Sequence, residues 1–270
     1  MFNTPIYSYK NLLIKLEYKN PAGSIKDRVA LFILKDAFLK AKKEVVEATS
    51  GNTGIALAYY SKKFGIKATI FMPKSYSIER QKLLKLYGAN LILVDGDMKK
   101  AIIEAKNYAL LHNAYYVNQF SNHLNSLAHQ YSTALEILNQ VSDIDYFVYG
   151  VGSGGTIDGV GRVLKKMGVK IVAVESKNSP VIYNKIYNKN LKIASHKIQG
   201  IGAGFIPDNV DLSIIDDVVL VDDDEVLDYV KNMPINGGIS TSANILASLN
   251  LKGKVLTIAP DSIERYLSIL

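Results

Sequence analysis

Three glycine-bearing segments of this sequence carry side chains able to do chemistry, and each follows a short apolar run. The first is Asn20-Pro21-Ala22-Gly23-Ser24-Ile25-Lys26-Asp27-Arg28. Pro21 and Gly23 break the chain, Ser24 can cap a helix, and Lys26 falls in that helix's first turn. The positive field at a helix N-terminus disfavours an ammonium and favours a free or imine nitrogen. Spacing alone favours a plainer alternative, a surface lysine in a capped helix. The second segment, Thr49-Ser50-Gly51-Asn52-Thr53-Gly54, gathers hydroxyls, an amide and successive backbone N–H groups. Such a nest suits a carboxylate or a phosphate. A helix cap with surplus hydroxyls is the alternative, although a cap does not need both glycines. The third, Gly150-Val151-Gly152-Ser153-Gly154-Gly155-Thr156, suits a phosphate group. It also satisfies G-x-G-x-x-G, with Glu175 following at the end of the next apolar run, so a nicotinamide cofactor is a rival reading. The mid-chain position of this loop, and the two other loops it would leave idle, count against that rival. No G-x-x-x-x-G-K-[ST] pattern occurs, which removes a nucleoside triphosphatase.

The elements that must hold these loops follow from periodicity. Strands are expected at Leu12 to Glu17, Val45 to Ala48, Ala68 to Met72, Leu91 to Val94, Tyr146 to Tyr149, Ile171 to Val174, Val218 to Val221 and Val255 to Ile258. Between most of them lie amphipathic stretches: Lys26 to Lys40, Ile55 to Phe64, Ser77 to Tyr87, Lys99 to His112, Ser126 to Asn139, Ile157 to Met167 and Asp223 to Lys231. Strands alternating with helices predict an α/β fold of mainly parallel sheet covered on both faces. Ligands bind at the carboxyl ends of such strands, where all three loops stand. The turn-rich stretch Glu175 to His196 is the least regular part.

Composition narrows the chemistry further. The chain has 270 residues, 48% of them hydrophobic, and no cysteine, which excludes a disulfide scaffold, a thiolate metal site and a cysteine nucleophile together. Its net charge of +7 comes from lysines spread singly and in pairs among acids, a solvated surface rather than a nucleic-acid footprint. Arginine occurs only at Arg28, Arg80, Arg162 and Arg265, so each deserves scrutiny. His112, His123, His129 and His196 show no metal-ligand spacing and read as helix-surface or capping residues. No G-x-S-x-G elbow supports a serine hydrolase. Without an apolar signal core or a membrane-length apolar run, the expectation is a cytoplasmic protein with no membrane contact.

Taken together, these segments resemble one family. Lys15 to Arg28 resembles the pyridoxal phosphate attachment motif of cysteine synthases and cystathionine beta-synthases. TSGNTG resembles their substrate loop and GSGGT their phosphate loop. Asn118 to Phe120 (NQF), His196 to Phe205 (HKIQGIGAGF), Gly238 to Ser240 (GIS) and Pro260 to Ser268 (PDSIERYLS) match in the same order. The resemblance implies a two-domain fold-type II pyridoxal phosphate enzyme, similar to the tryptophan synthase beta chain. Residues 19–121 would form a smaller mobile domain, and residues 1–18 and 122–270 the larger one.

Residue by residue, the resemblance makes Lys26 the lysine that carries the cofactor and later acts as base. Asn52 would bond the cofactor's 3'-oxygen, Gly152, Ser153, Gly154, Gly155 and Thr156 would cradle its phosphate, and Ser240 would face its ring nitrogen. A neutral hydroxyl at that nitrogen favours elimination over transamination. Thr49, Ser50, Gly51, Thr53 and Gln119 would bind the substrate carboxylate, with Gly200 and Gly202 beside its side chain; no metal is implied. The implied reaction is a beta-replacement through an aminoacrylate, foremost O-acetylserine and sulfide giving cysteine and acetate. Hydrogen-sulfide-releasing replacement on cysteine, forming lanthionine, and cystathionine formation are the alternatives. A homodimer is implied, as is docking of a serine acetyltransferase C-terminal tail near His196 to Phe205. One departure stands out: GISTSAN places Ser242 where the family usually has glycine.

Overall fold

The computed structural model describes residues 2–49, 51–74 and 78–268. Its strands, in chain order, are β1 (Ile6–Tyr9), β2 (Leu12–Leu16), β3 (Glu44–Ala48), β4 (Lys67–Pro73), β5 (Asn90–Val94), β6 (Tyr115–Tyr116), β7 (Tyr146–Gly150), β8 (Lys170–Ser176), β9 (Asp217–Val221) and β10 (Val255–Ala259). The helices are α1 (Lys26–Leu39), α2 (Asn52–Phe64), α3 (Ile78–Leu86), α4 (Met98–Leu111), α5 (Leu124–Ala128), α6 (Ala134–Gln140), α7 (Gly155–Lys165), α8 (Val181–Ile186), α9 (Asp223–Val230) and α10 (Ile239–Ser248). They make an α/β fold in which only β1 runs antiparallel, paired with β2.

Two sheets result, one in the order β5-β4-β3-β6 and one in the order β1-β2-β10-β7-β8-β9. Central strands such as β2 and β10 are buried along their whole length, which explains their unbroken apolar text. Helices α1 and α2 cover one face of the smaller sheet through Ile33, Leu34, Ile55 and Leu57, and α4 covers the other through Ala101 and Ala105. On the larger sheet α7 packs one face with Val160 and Leu164, while α9 and α10 pack the opposite one with Val226 and Ile245.

Both sheets obey the same winding rule. In the smaller sheet β3, β4 and β5 step outward in one direction and β6 returns to the other side of β3. In the larger sheet β7, β8 and β9 step outward and β10 returns to the other side of β7. Each reversal opens a crevice beyond the carboxyl ends of two strands, where main-chain polar groups are left for a ligand. The crevice at β3 and β6 is bounded by residues 49, 51–53 and 117–120, and that at β7 and β10 by residues 150–156 and 260–265.

Four elements escape the periodicity reading. β1 and β6 are short, and α8 falls in the stretch read as irregular, of which residues 189–196 do lack regular structure. Helix α10 is buried on nearly every side, so it has no polar face to reveal a 3.6-residue period. The amphipathic stretch expected from Ser126 to Asn139 is interrupted by a π turn, His129–Thr133, between α5 and α6. Ser242, the departure from the family text, donates its hydroxyl to the Val226 carbonyl at 2.7 Å, so its added polar group is satisfied between α10 and α9. Among the described residues no helix is long and apolar enough to cross a membrane.

Candidate active site

The lysine loop is folded by side-chain bonds to its own backbone. Asn20 Nδ2 donates to the carbonyls of Glu17 and Ser24, and Asp27 accepts the N–H groups of Ala22 at 2.6 Å and Ser24 at 3.3 Å. Ser24 is not the residue that caps α1. Ile25 holds that position, while the Ser24 hydroxyl accepts the Lys26 N–H at 3.3 Å. Burial raises the Asp27 carboxyl to about 6, against the pull of those N–H groups. Lys26 keeps some accessible surface but lies deep among protein atoms. Burial lowers its amine to about 8, opposed by the carboxylate of Asp261 acting through space.

At the β3/β6 crevice, Gly51 is the N-cap of α2 in extended conformation, and it brings no side chain to cap that helix. The Thr49 hydroxyl accepts the Gly51 N–H at 3.1 Å. Asn52 Nδ2 donates to Asp261 Oδ2 at 2.7 Å, and its Oδ1 accepts from Arg265. Thr53 Oγ1 donates to Gln119 Oε1 at 2.7 Å, joining the two sides of the crevice. Behind them the Gln119 N–H donates to Glu47 Oε2 at 3.0 Å, and burial raises the Glu47 carboxyl to about 8. Ser50, the remaining expected member of this set, lies outside the described residues.

At the β7/β10 crevice, the Gly150 N–H donates to Asn244 Oδ1 at 2.8 Å and the chain turns into α7 through Gly154, whose φ of +86° a side chain would resist. No side chain caps α7 either, so its first N–H groups face the crevice. Asn125 Nδ2 holds Ser153 Oγ at 2.9 Å, and Asn209 Nδ2 holds the Ser153 carbonyl at 3.1 Å. Gly152 lies so close to the segment carrying Gly200 that a Cβ there would stand 2.4 Å from the Gly200 carbonyl. Gly200 in turn adjoins the buried Ser240 near the start of α10, and His196 Nε2 bonds the Gly202 carbonyl at 2.9 Å.

His129 corrects the expectation of a surface or capping histidine. It is fully buried in the π turn, with Nδ1 2.9 Å from Thr133 Oγ1 and Nε2 3.2 Å from the Thr156 hydroxyl. Burial, with help from Lys26 and Arg28, holds it neutral, well below the usual imidazole range. Glu175 answers the nicotinamide rival. Its buried carboxylate accepts the N–H groups of Ile182 and Tyr183 at the start of α8, so it is committed to the protein's own backbone.

Hydrogen bonds, close approaches and charge thus link the described members of the expected set around one locus. Sequence reasoning missed Glu47, Asn125, Asn209, Asp261, Arg265 and Asn244. The rarity of arginine signals Arg265, Asp261 lies in the PDSIERYLS segment and Asn244 ends GISTSAN; nothing in the text marks Asn125 or Asn209. The donor set fits a phosphate-bearing aldehyde cofactor. It offers an amine of lowered basicity, an uncapped helix N-terminus behind a glycine loop, and a buried hydroxyl at Ser240.

Comparisons with known proteins agree. Residues 1–261 match the family described as pyridoxal-phosphate dependent enzyme. The cysteine synthase B of Campylobacter jejuni is 42% identical, over 98% of this chain and 94% of that protein. Among solved structures, a hydrogen sulfide-producing enzyme from Fusobacterium nucleatum superposes with a TM-score of 0.88 at 37% identity, over 100% of this chain and 88% of the other. An O-acetylserine dependent cystathionine beta-synthase from Helicobacter pylori gives 0.87 at 32% identity, over 98% and 94%. A matched family spanning nearly the whole chain and relatives at this identity leave one conclusion, that the chain belongs to the pyridoxal-phosphate dependent enzymes.

Proposed function

We propose that this enzyme replaces the beta substituent of an amino acid, foremost converting O-acetylserine and sulfide into cysteine and acetate. The observation that carries the reading is geometric: the loop bearing Lys26 is bonded through Pro260, Asp261 and Arg265 to Asn52 at the glycine-capped start of α2, and the Lys26 amine is held to about 8 by burial. When bound, pyridoxal phosphate supplies an electron-withdrawing ring that stabilises negative charge at the alpha carbon of an amino acid joined to it. Lys26 would hold it, with Asn52 at its 3'-oxygen, Gly152 to Thr156 around its phosphate and the Ser240 hydroxyl toward its ring nitrogen. Thr49, Ser50, Gly51, Thr53 and Gln119 would orient the substrate carboxylate, and Gly200 and Gly202 would flank its side chain. Lys26 Nζ, freed when substrate binds, would take the proton from the alpha carbon.

Cysteine synthases at about 40% identity support O-acetylserine as donor and sulfide as acceptor. The hydrogen sulfide-producing and cystathionine-forming neighbours support a second reading, in which cysteine is the donor or a larger thiol the acceptor. The same reading takes residues 19–121 as a lobe that closes over residues 1–18 and 122–270 to exclude water. It also includes a homodimer in the cytoplasm and a serine acetyltransferase tail docking at His196 to Phe205.

The test is the visible spectrum of the cofactor-loaded protein as O-acetylserine, serine and cysteine are added in separate cuvettes. O-acetylserine alone is expected to convert the yellow band stably, and sulfide to restore it with release of cysteine. Conversion by cysteine with sulfide release moves the assignment to the second reading. A protein that stays colourless with pyridoxal phosphate overturns both.

A further inference from the structure

The segment Pro260 to Tyr266 enters the site from β10 and touches the parts that hold it together. The Ile25 N–H donates to the Pro260 carbonyl at 2.8 Å, Arg265 donates to the Ala22 carbonyl, and the Gly238 N–H donates to the Asp261 carbonyl at 2.9 Å. Asp261, 1% exposed, is the acidic member of this segment inside the site. Its Oδ2 accepts from Asn52 Nδ2 at 2.7 Å and from the Tyr266 hydroxyl at 2.5 Å. Its Oδ1 takes no hydrogen bond from any described residue. A Cβ on Gly238 would stand 2.2 Å from that oxygen, so the start of α10 is drawn tightly against it.

A buried carboxylate oxygen without a donor is costly, and its retention calls for a reason. Lys26, Tyr149 and Tyr266 feel the charge of Asp261, and Arg265 stands across the Asn52 amide from it. Arg265 spends its bonds elsewhere, on the Asn52 oxygen and the Ala22 carbonyl. Asp261 and Arg265 therefore grip opposite ends of the Asn52 amide. An amide has two ends of nearly equal size, and this grip decides which is the donor. One N–H of Asn52 is used by Asp261, leaving the second as the group's remaining donor.

We propose that Asp261 is a positioning residue that aims the remaining Asn52 N–H at the cofactor and supplies the negative charge offsetting Lys26. The inference rests on the reading that Lys26 carries pyridoxal phosphate, and deepens it. The through-space effect on Lys26 agrees in sign, since Asp261 raises a basicity that burial lowers.

The experiment removes the cofactor from wild-type protein and Asp261→Asn, then follows uptake of pyridoxal phosphate by its visible band across pH. Uptake needs the neutral amine, so its rate rises with pH through the basicity of Lys26. Asp261→Asn should lower the pH of half-maximal rate by about one unit, the scale of one nearby opposite charge. It should also weaken cofactor affinity by about tenfold, equivalent to one lost hydrogen bond to a charged group. In an Asn52→Ala background the affinity effect should vanish while the pH effect stays. Asp261→Ser asks the same question should the amide variant fail to fold. A merely structural residue would change the unfolding midpoint and leave the pH midpoint in place. A wild-type band with neither shift in the variant overturns the proposal alone; a wild type that takes up no cofactor overturns the functional reading with it.

Discussion

Lys26 and Arg28 stand two residues apart in the first turn of α1, both set deep among protein atoms although Lys26 keeps some accessible surface, and the protein treats them in opposite ways. Arg28 is 1% exposed and fully paired. It bonds Glu17 at 2.7 Å through Nε and through Nη2, and Glu136 at 2.8 and 2.7 Å. Lys15, also buried, completes the group 3.1 Å from Glu136, so two cations and two anions neutralise one another below the helix. Lys26 makes no ion pair with any described residue, and the charge of Asp261 acts on it through space. Pairing makes the Arg28 group a joint between β2, α1 and α6, where charge is inert. Without an ion-pair partner among the described residues, the Lys26 nitrogen stays close to losing its proton, where charge is reactive. Burial by itself predicts neither outcome; the partners decide.

The largest effect that would break this comparison is on turnover. Lys26→Met should lower kcat by about 10⁴-fold or more, at least ~5 kcal/mol of activation free energy, measured as cysteine formed from O-acetylserine and sulfide. Arg28→Leu should act through stability instead. Leaving Glu17 without its ion-pair partner and Glu136 with Lys15 alone should cost about 3–5 kcal/mol in denaturant unfolding. The same Lys26→Met change should stabilise the cofactor-free protein near pH 7, by up to about 3 kcal/mol, because it removes a desolvated ammonium. A Lys26→Met variant less stable than wild type would mean that the lysine has a partner after all.

The smallest effect is visible in wild-type protein without cofactor. The folded-state value of Lys26 is depressed from 10.5 to about 8, so the unfolded chain binds more protons between those values. Its contribution to stability should therefore rise with pH across that window. Burial raises Glu136, but its bonds to Arg28 outweigh that and leave it near 2, against an ordinary 4.5. Its contribution should be complete above 4.5 and disappear as pH falls toward 2. Unfolding free energy recorded against pH should thus show an acid limb reduced in Arg28→Leu, where Lys15 still faces Glu136, and an alkaline limb lost in Lys26→Met.

Much of this was legible in the text, unevenly. Strands such as β3 and β8 and the three glycine loops showed themselves because parallel strands read as apolar runs and loop glycines interrupt them. Lys26 looked like a surface lysine until neighbouring motifs were read with it, since nothing local says that β10 will bring Asp261 to it. His129 was misread for the same reason: burial beneath Thr156 depends on α7 crossing the π turn, a contact between distant segments. Glu175 fits a nucleotide-binding pattern in sequence and caps α8 in space. Short-range spacing conveys what a segment offers, while its tertiary partners settle whether the offer is used.

The position of β10 bears on how the molecule is assembled. β10 lies between β2 and β7, bonded to both, and leads directly into Asp261. The smaller sheet is drawn from one continuous stretch, so it can form while synthesis proceeds. The larger sheet keeps an open seam at its middle until Val255–Ala259 has emerged, with the exposed edges of β2 and β7 liable to pair wrongly in the interval. The strand that closes this seam also brings the carboxylate to Lys26, so the active site is completed in the same event that removes the aggregation hazard.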